Sequence, residues 1–283
     1  MSNLEISRAQ RLDQKVVELI PELSRASGTK LIEQGKVTVN DKVITKAGHK
    51  LRPDDVVLVD YDISQLAEIP TVELEVLYED NDCVVINKPV GLLTHSKGEF
   101  NPEATVETWL RSRTKLTGAR AGIVHRLDRA TSGVMICAKT PEALKKLQRQ
   151  FAQRKTKKTY FAVVSGTFKQ PEAIIDMPVA RNPKAPATFR VDSNGKSAVT
   201  HYRVVHEDDK RSLVELKPET GRTHQLRVHL SHLGHPIVGD YMYGGEPNQR
   251  MLLHAHSLEI TLPDSERKVF VAPTPVAFTK ALT

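Results

Sequence analysis

The 283-residue chain is sparing with several residue types, and each shortage excludes something. Its two cysteines, Cys83 and Cys137, each sit in a Val/Ile-rich stretch. Two are too few for a disulfide framework or a cysteine-ligated zinc site, so both are expected to be small core residues. No run approaches the ~18 to 20 uninterrupted apolar residues of a membrane span. The opening MSNLEISRAQRLDQK is charged within its first eight residues, unlike a secretory leader, and a cytoplasmic protein is expected. Aromatics make up 5%, and the single tryptophan, Trp109, is expected as a packing anchor. No solenoid-period repeat or low-complexity tract is visible. What remains, 39% hydrophobic and 27% charged, is ordinary for a globular chain, long enough for one large domain and one small one.

The net charge of +7 is unevenly placed. Residues 1–64 balance ten basic against ten acidic side chains, whereas 141–283 hold twenty-two against fourteen. Within that half, residues 141–158 (PEALKKLQRQFAQRKTKK) carry seven basic groups against the single Glu142. A solvated helix face would explain such a run, and so would contact with phosphates.

A composition break at 62–72 (DISQLAEIPTV) suggests a boundary, giving an N-terminal domain at 1–64, a linker at 65–72 and a larger domain at 73–283. Upstream, RLDQKVVELI predicts an amphipathic helix with Leu12, Val16, Leu19 and Ile20 inward, ended by Pro21. A second helix is expected from near Ser24 to a stop at Gly35, with Leu31 and Ile32 inward. The alternation from Lys36 to Ile44 around Asn40-Asp41 predicts a tight hairpin, and Val56 to Asp60 a further strand. This order, with SRASGTKLIEQGKVTVNDKVI at its centre, resembles the S4 RNA-binding domain over about residues 8–61. The resemblance implies an RNA-facing surface that includes Arg25, Lys30 and Lys36. Gly28 departs from the pattern, since a helical glycine costs roughly 1 kcal/mol relative to alanine.

The larger segment alternates strands with few long helices. Val72 to Tyr78, Cys83 to Lys88, Gly133 to Ala138, Thr159 to Ser165, 199–206 and 212–217 are the expected strands. Helices are expected after the Thr140 cap, with Leu144, Leu147 and Phe151 at helical spacing, and from about Thr223 to Leu233, stopped at Gly234. The pattern predicts an α+β fold, with a mixed, largely antiparallel sheet, flanking helices and a central cleft.

Three polar segments stand out in that frame. HRLDRATSG (125–133) places Asp128 between Arg126 and Arg129 in a turn, where an isolated aspartate can equally be structural. KKTYFAVVSG puts Tyr160 at a strand entrance just after the basic run. TGRTHQLRVHLSHLGHPIVGD places Arg222 in a turn and Arg227 on the first turn of a helix, where backbone N–H groups also favour anions. Together with LYEDNDCVVINKPVGLLTH, these segments resemble the RluA-type pseudouridine synthases over nearly all of 73–283.

The resemblance implies an isomerase that converts uridine to pseudouridine in RNA, large-subunit ribosomal RNA above all. Asp128 is then the catalytic aspartate, Tyr160 packs against the target base and Arg227 pairs with the aspartate. Arg126, Arg129, Arg222, His224, Lys157 and Lys158 are expected to contact RNA, with Arg126 filling the gap left by the flipped base. The nucleotide must leave its stack, a cost of a few kcal/mol that phosphate contacts offset. The isomerisation is redox neutral, so no cofactor is expected, and a monomer is. Lys88-Pro89 with Gly91 is expected to shape the floor of the cleft. Six of the eleven histidines lie between His224 and His256, but steps of three drift around a helix, so no metal site is expected. The competing readings are a non-catalytic S4-type RNA-binding or ribosome-assembly factor and a histidine-based RNA hydrolase. The presence of Asp128, Tyr160 and Arg227 together argues against the first.

Overall fold

The structure is a computed structural model that describes residues 10–21, 23, 25–61, 72–95, 103–116 and 120–282. The expected helix start at Ser24 and residues 62–71 of the expected boundary and linker lie outside the described residues. The chain forms two compact units, Met1–Val72 with His95–Ala121 and Glu73–Thr94 with Gly122–Thr283. No helix among the described residues is long and apolar enough to cross a membrane.

In the first unit, α1 (Leu12–Leu19) buries Leu12 and Val16, and Ile20 continues their stripe at its C-cap. Leu19, expected inward, is 46% exposed, because the buried arc is completed on its other side by Asp13. That carboxylate is almost fully buried and accepts hydrogen bonds from Arg11 and from Arg25 Nε at 2.9 Å each. The Arg11 hydrogen bond, with help from Arg25, holds the pKa of Asp13 below the usual carboxylate range.

Helix α2 (Arg25–Glu33) ends where Gly35 N–H donates to Ile32 O and Lys36 N–H to Leu31 O, the paired closing bonds of a Schellman motif. Gly28 has a packing reason: a Cβ there would stand 3.2 Å from Val16 Cγ1, so its absence lets α2 lie close against α1. The expected hairpin is β1 (Val37–Val39) with β2 (Lys42–Val43), turned by Asn40 and Asp41 at φ +51° and +62°, as a type I′ turn requires. β3 (Val57–Val59) pairs antiparallel with β1, and Leu12, Val16, Ile32, Val37 and Leu51 fill the core. In the same unit α3 (Val106–Leu110), capped reciprocally by Thr105 and Thr108, buries Trp109 under the Arg113 guanidinium.

The second unit is built on a nine-stranded sheet. Its strands are β4 (Glu75–Glu79), β5 (Cys83–Lys88), β6 (Ser132–Ala138), β7 (Lys157–Ser165), β8 (Glu172–Asp176), β11 (Val199–Glu207), β12 (Arg211–Pro218), β13 (Leu253–Thr261) and β14 (Arg267–Val271), and a separate hairpin joins β9 (Val179–Arg181) to β10 (Phe189–Val191). The order is β4-β5-β6-β13-β7-β12-β11-β8, with β14 also on β13, and every pair is antiparallel except β6 with β13. The mixed, largely antiparallel sheet of an α+β fold is therefore present as expected. The helices are α4 (Pro141–Ala152), α5 (Gln225–His232) and α6 (Val276–Lys280). Thr140 Oγ1 accepts from Ala143 N–H at the α4 N-terminus, with Pro141 in the first turn. Cys83 and Cys137 are buried, unpaired thiols on β5 and β6.

The parallel contact of β6 with β13 explains the glycine of HRLDRATSG. Gly133 sits opposite Ala255 at φ +118°, and a Cβ there would fall 2.2 Å from the Ala255 carbonyl oxygen. Only glycine admits that approach.

Candidate active site

The turn between Val124 and β6 is braced from below by the chain leaving β5. Thr94 Oγ1 donates to Leu127 O at 2.8 Å and accepts from Leu127 N–H, while Gly91 N–H donates to Arg129 O. Lys88 is fully buried at the base of this brace, its Nζ donating to the carbonyls of Pro89 and Leu92 at 2.9 and 2.8 Å. Burial pulls the Lys88 pKa down to about 7, against the opposing charge of Asp128. The Lys88–Gly91 segment thus supports the Asp128 turn from behind, and it does not line the cleft whose floor it was expected to shape. His125 stacks on Phe151 of α4 at 4.4 Å and accepts the Ile136 N–H through Nε2. Burial lowers its pKa to about 3, so it stays neutral.

Above the brace a cleft of about 430 Å³ opens, lined among others by Arg126, Asp128, Arg154, Lys158, Tyr160 and Arg227. Two basic groups approach the same oxygen of Asp128: Arg227 Nη1 donates to Oδ2 at 3.4 Å, and His224 Nε2 lies 3.7 Å from it. Arg227 is held far more tightly by Asp240, with Nε and Nη2 each 2.7 Å from a carboxylate oxygen, and its guanidinium lies 4.9 Å over the Tyr243 ring. Burial works against the charge of Arg227, but the hydrogen bonds and charge of Asp240 outweigh it and raise the arginine's pKa. The expected pairing of Arg227 with Asp128 is present as the weaker half of a shared contact.

Tyr160, on β7 between Leu216 and Ala255, lines the cleft as a protonated phenol, because burial and then the charge of Asp128 raise its pKa. Lys158 reaches the cleft wall near Thr220 O, and burial lowers its pKa to about 8. Arg222 is half-buried, its Nε donating to Ser197 O at 3.0 Å. Gln225 ties the same turn to β11 through Val199 O and Thr200 Oγ1.

The other expected site residues are spread more widely. Arg126 is exposed on the cleft lining, whereas Arg129 is exposed outside it. Lys157 is 75% exposed and paired with Glu259 at 3.3 Å, and Lys146 of the same basic run is pinned to Pro263 O. Arg25, Lys30 and Lys36 belong to the first unit. There Arg25 is bound to Asp13, Lys36 to Asp60 at 2.6 Å, and Lys30 is exposed in the last turn of α2.

Three histidines of the cluster have individual structural partners. His229 is bonded to Thr200 Oγ1 and Met177 O, and His235 to Ser165 O while stacked on Phe168. His254 donates through Nε2 to Ala272 O, so its Nδ1 accepts from Ser132, whose oxygen receives Arg250 Nη2 at 2.6 Å.

Sequence reasoning singles out neither Asp240 nor Tyr243, yet they fix Arg227 and His224. Asp240 closes the very segment that carries the arginines. A buried carboxylate seated thirteen residues after a helical arginine leaves no periodic signal.

The model of the RNA pseudouridylate synthase family matches residues 82–232, and the S4 domain model matches 10–57. Ribosomal large subunit pseudouridine synthase D of Yersinia pestis is 41% identical over 86% of this chain and 75% of its own length. The enzyme of the same name from Haemophilus influenzae is 37% identical over 96% and 90%, and an uncharacterised RNA pseudouridine synthase of Synechocystis is 38% identical over 96% and 88%. Human RNA pseudouridylate synthase domain containing 1 superposes with a TM-score of 0.61 at 32% identity, over 73% of this chain and 86% of that one. A sheet bearing the Asp128 turn, the arginine helix facing it and these similarities converge: the chain belongs to the RNA pseudouridine synthases of the RluA family, with an S4 domain preceding the catalytic one.

Proposed function

We propose that this isomerase acts on uridines of large-subunit ribosomal RNA, with Asp128 as its catalytic carboxylate. The observation that carries the reading is the cleft, in which one partly buried carboxylate faces a protonated tyrosine and a clamped arginine. At about 430 Å³ it suits a single extruded nucleotide and excludes a duplex, and Arg126, Arg154 and Lys158 supply positive charge at its walls.

Isomerisation breaks the bond from uracil N1 to the ribose, turns the base within the pocket and rejoins it through C5. Asp128 serves as nucleophile or as electrostatic and proton-transfer partner. Tyr160 forms the wall against which the detached ring turns. Arg126 takes the place of the flipped base in the helix, and Arg154, Lys158 and Arg222 hold flanking phosphates. Arg25, Lys30 and Lys36 extend the RNA contact from the S4 domain, and the protein acts as a cytoplasmic monomer. The ribosomal target is supported by the names of the relatives from Yersinia pestis and Haemophilus influenzae.

Ribosomal RNA from a strain lacking the gene, incubated with the protein and mapped for pseudouridine, tests the reading. Wild type is expected to produce new pseudouridine in the large-subunit RNA and Asp128→Asn none. No product from the wild type would refute it.

A further inference from the structure

His224 precedes α5 with its backbone in the left-handed region, φ +56°, a conformation that non-glycine residues keep only where their surroundings hold them. The ring is held on both nitrogens. Nδ1 lies 2.8 Å from Tyr243 Oη, and Nε2 faces Asp128 Oδ2 at 3.7 Å. Tyr243 Oη also accepts the Phe189 backbone N–H of β10 at 2.9 Å, and the Phe189 and Tyr243 rings meet the imidazole edge-on.

These partners decide where the protons sit. The Phe189 amide can only donate, so it occupies one lone pair of the phenol oxygen. Burial raises the Tyr243 pKa and keeps the phenol protonated, and Nδ1 is positioned to accept its proton. A carboxylate oxygen only accepts. The Nε2–H tautomer therefore satisfies both neighbours, whereas the other sets a ring lone pair against Asp128 and an N–H against the phenol proton. Arg227 and His224 both address Oδ2 of Asp128, and among the described residues no hydrogen bond reaches Oδ1.

We infer that Tyr243 locks His224 in the Nε2–H tautomer, and that His224 and Arg227 together hold Oδ2 of Asp128 so that Oδ1 faces the flipped uridine. His224 is then a positioning residue and not a phosphate contact. The inference rests on the isomerisation at Asp128 proposed above. The 3.7 Å gap closes when the nucleotide fills the cleft, as active-site hydrogen bonds tighten on substrate binding.

Two measurements test it. The first is tritium release from 5-tritiated total RNA of a strain lacking the gene, read beside RNA affinity. His224→Asn fills the Nδ1 position without reaching Asp128, and is expected to lower kcat by about 10- to 100-fold while KM and RNA affinity change by less than about twofold. His224→Gln places an amide N–H near the Nε2 position and should return kcat to within about fivefold of wild type. A His224→Asn enzyme with wild-type kcat, or with only KM raised, overturns the positioning role. The second is imidazole nitrogen NMR of the free protein, which should find Nε2 protonated and Nδ1 bare in wild type and a tautomer mixture in Tyr243→Phe. A wild-type ring protonated on Nδ1 alone overturns the inference. A wild type that releases no tritium strikes instead at the isomerase reading, and the NMR still decides the tautomer.

Discussion

The N-terminal unit and the cleft of the catalytic unit handle cations in opposite ways. In the first, Arg25 lies on the buried carboxylate of Asp13 and Lys36 on Asp60, so positive charge is already matched by acid. In the cleft, Arg222 and Lys158 approach backbone carbonyls, Arg126 is exposed, and the carboxylate that tightly holds Arg227, Asp240, is buried behind the lining. A paired cation must give up its partner to take a phosphate, whereas one resting on a carbonyl keeps most of its charge for RNA. Net charge per domain is therefore a poorer guide to RNA affinity than the partner each cation already has.

The comparison can be tested in order of expected effect. Asp128→Asn is expected to lower the rate of pseudouridine formation by at least about a thousandfold while RNA binding persists. A comparable loss of binding would mean that Asp128 mainly organises the cleft. Asp240→Asn removes the tight partner of Arg227, and breaking a buried pair of this kind costs about 3–5 kcal/mol, read by urea unfolding. Little loss would show that Asp128 can take over the arginine.

The next test uses pH. His254 is fully buried and burial lowers its pKa to about 4, below the ~6.5 of an unfolded histidine. Between those values the unfolded chain binds the extra proton, so stability is full above pH ~6.5 and falls by about 3 kcal/mol as the pH drops to ~4. His254→Asn should flatten that part of the unfolding profile, measured against wild type at each pH. An unchanged slope would place the acid sensitivity elsewhere, the next candidate being buried His229, whose pKa burial also lowers.

Smaller effects separate the two cation sets directly. Replacing Arg154 and Lys158 with alanine should reduce the slope of log affinity against log salt by about 0.7 to 0.9 for each phosphate no longer neutralised. Lys36→Ala should change it less and alter stability by no more than about 1 kcal/mol, the range of an exposed ion pair. Equal slope changes from both sets would break the comparison.

Much of this arrangement was legible where a residue pattern has a local cause. Asn40-Asp41 announced its turn because both residues tolerate positive φ, and Thr140-Pro141 announced α4 because a hydroxyl followed by proline suits a helix start. The Asp128, Tyr160 and Arg227 segments were legible as motifs. Long-range pairing was not. β13 crosses the middle of the sheet, yet its apolar run is interrupted by His254 and His256, whose tolerance there depends on Ser132, Ala272 and Phe161 from distant segments. Asp13 hid in the same way, as an acid on an otherwise apolar helix face neutralised by an arginine twelve residues on. Gly28 read as a flaw because its benefit lies on α1.

Gly133 has a consequence for how such an enzyme can change its target. Because that residue tolerates no side chain against Ala255, the carboxylate five residues earlier is indexed to the middle of the sheet and not to the loops that meet RNA. If Asp128 has the proposed role, insertions or charge changes in the β9-β10 hairpin or the basic run after α4 would then be able to alter which RNA is gripped without displacing the carboxylate. Specificity and chemistry are mounted on separate mechanical frames, so the first can drift while the second stays in register.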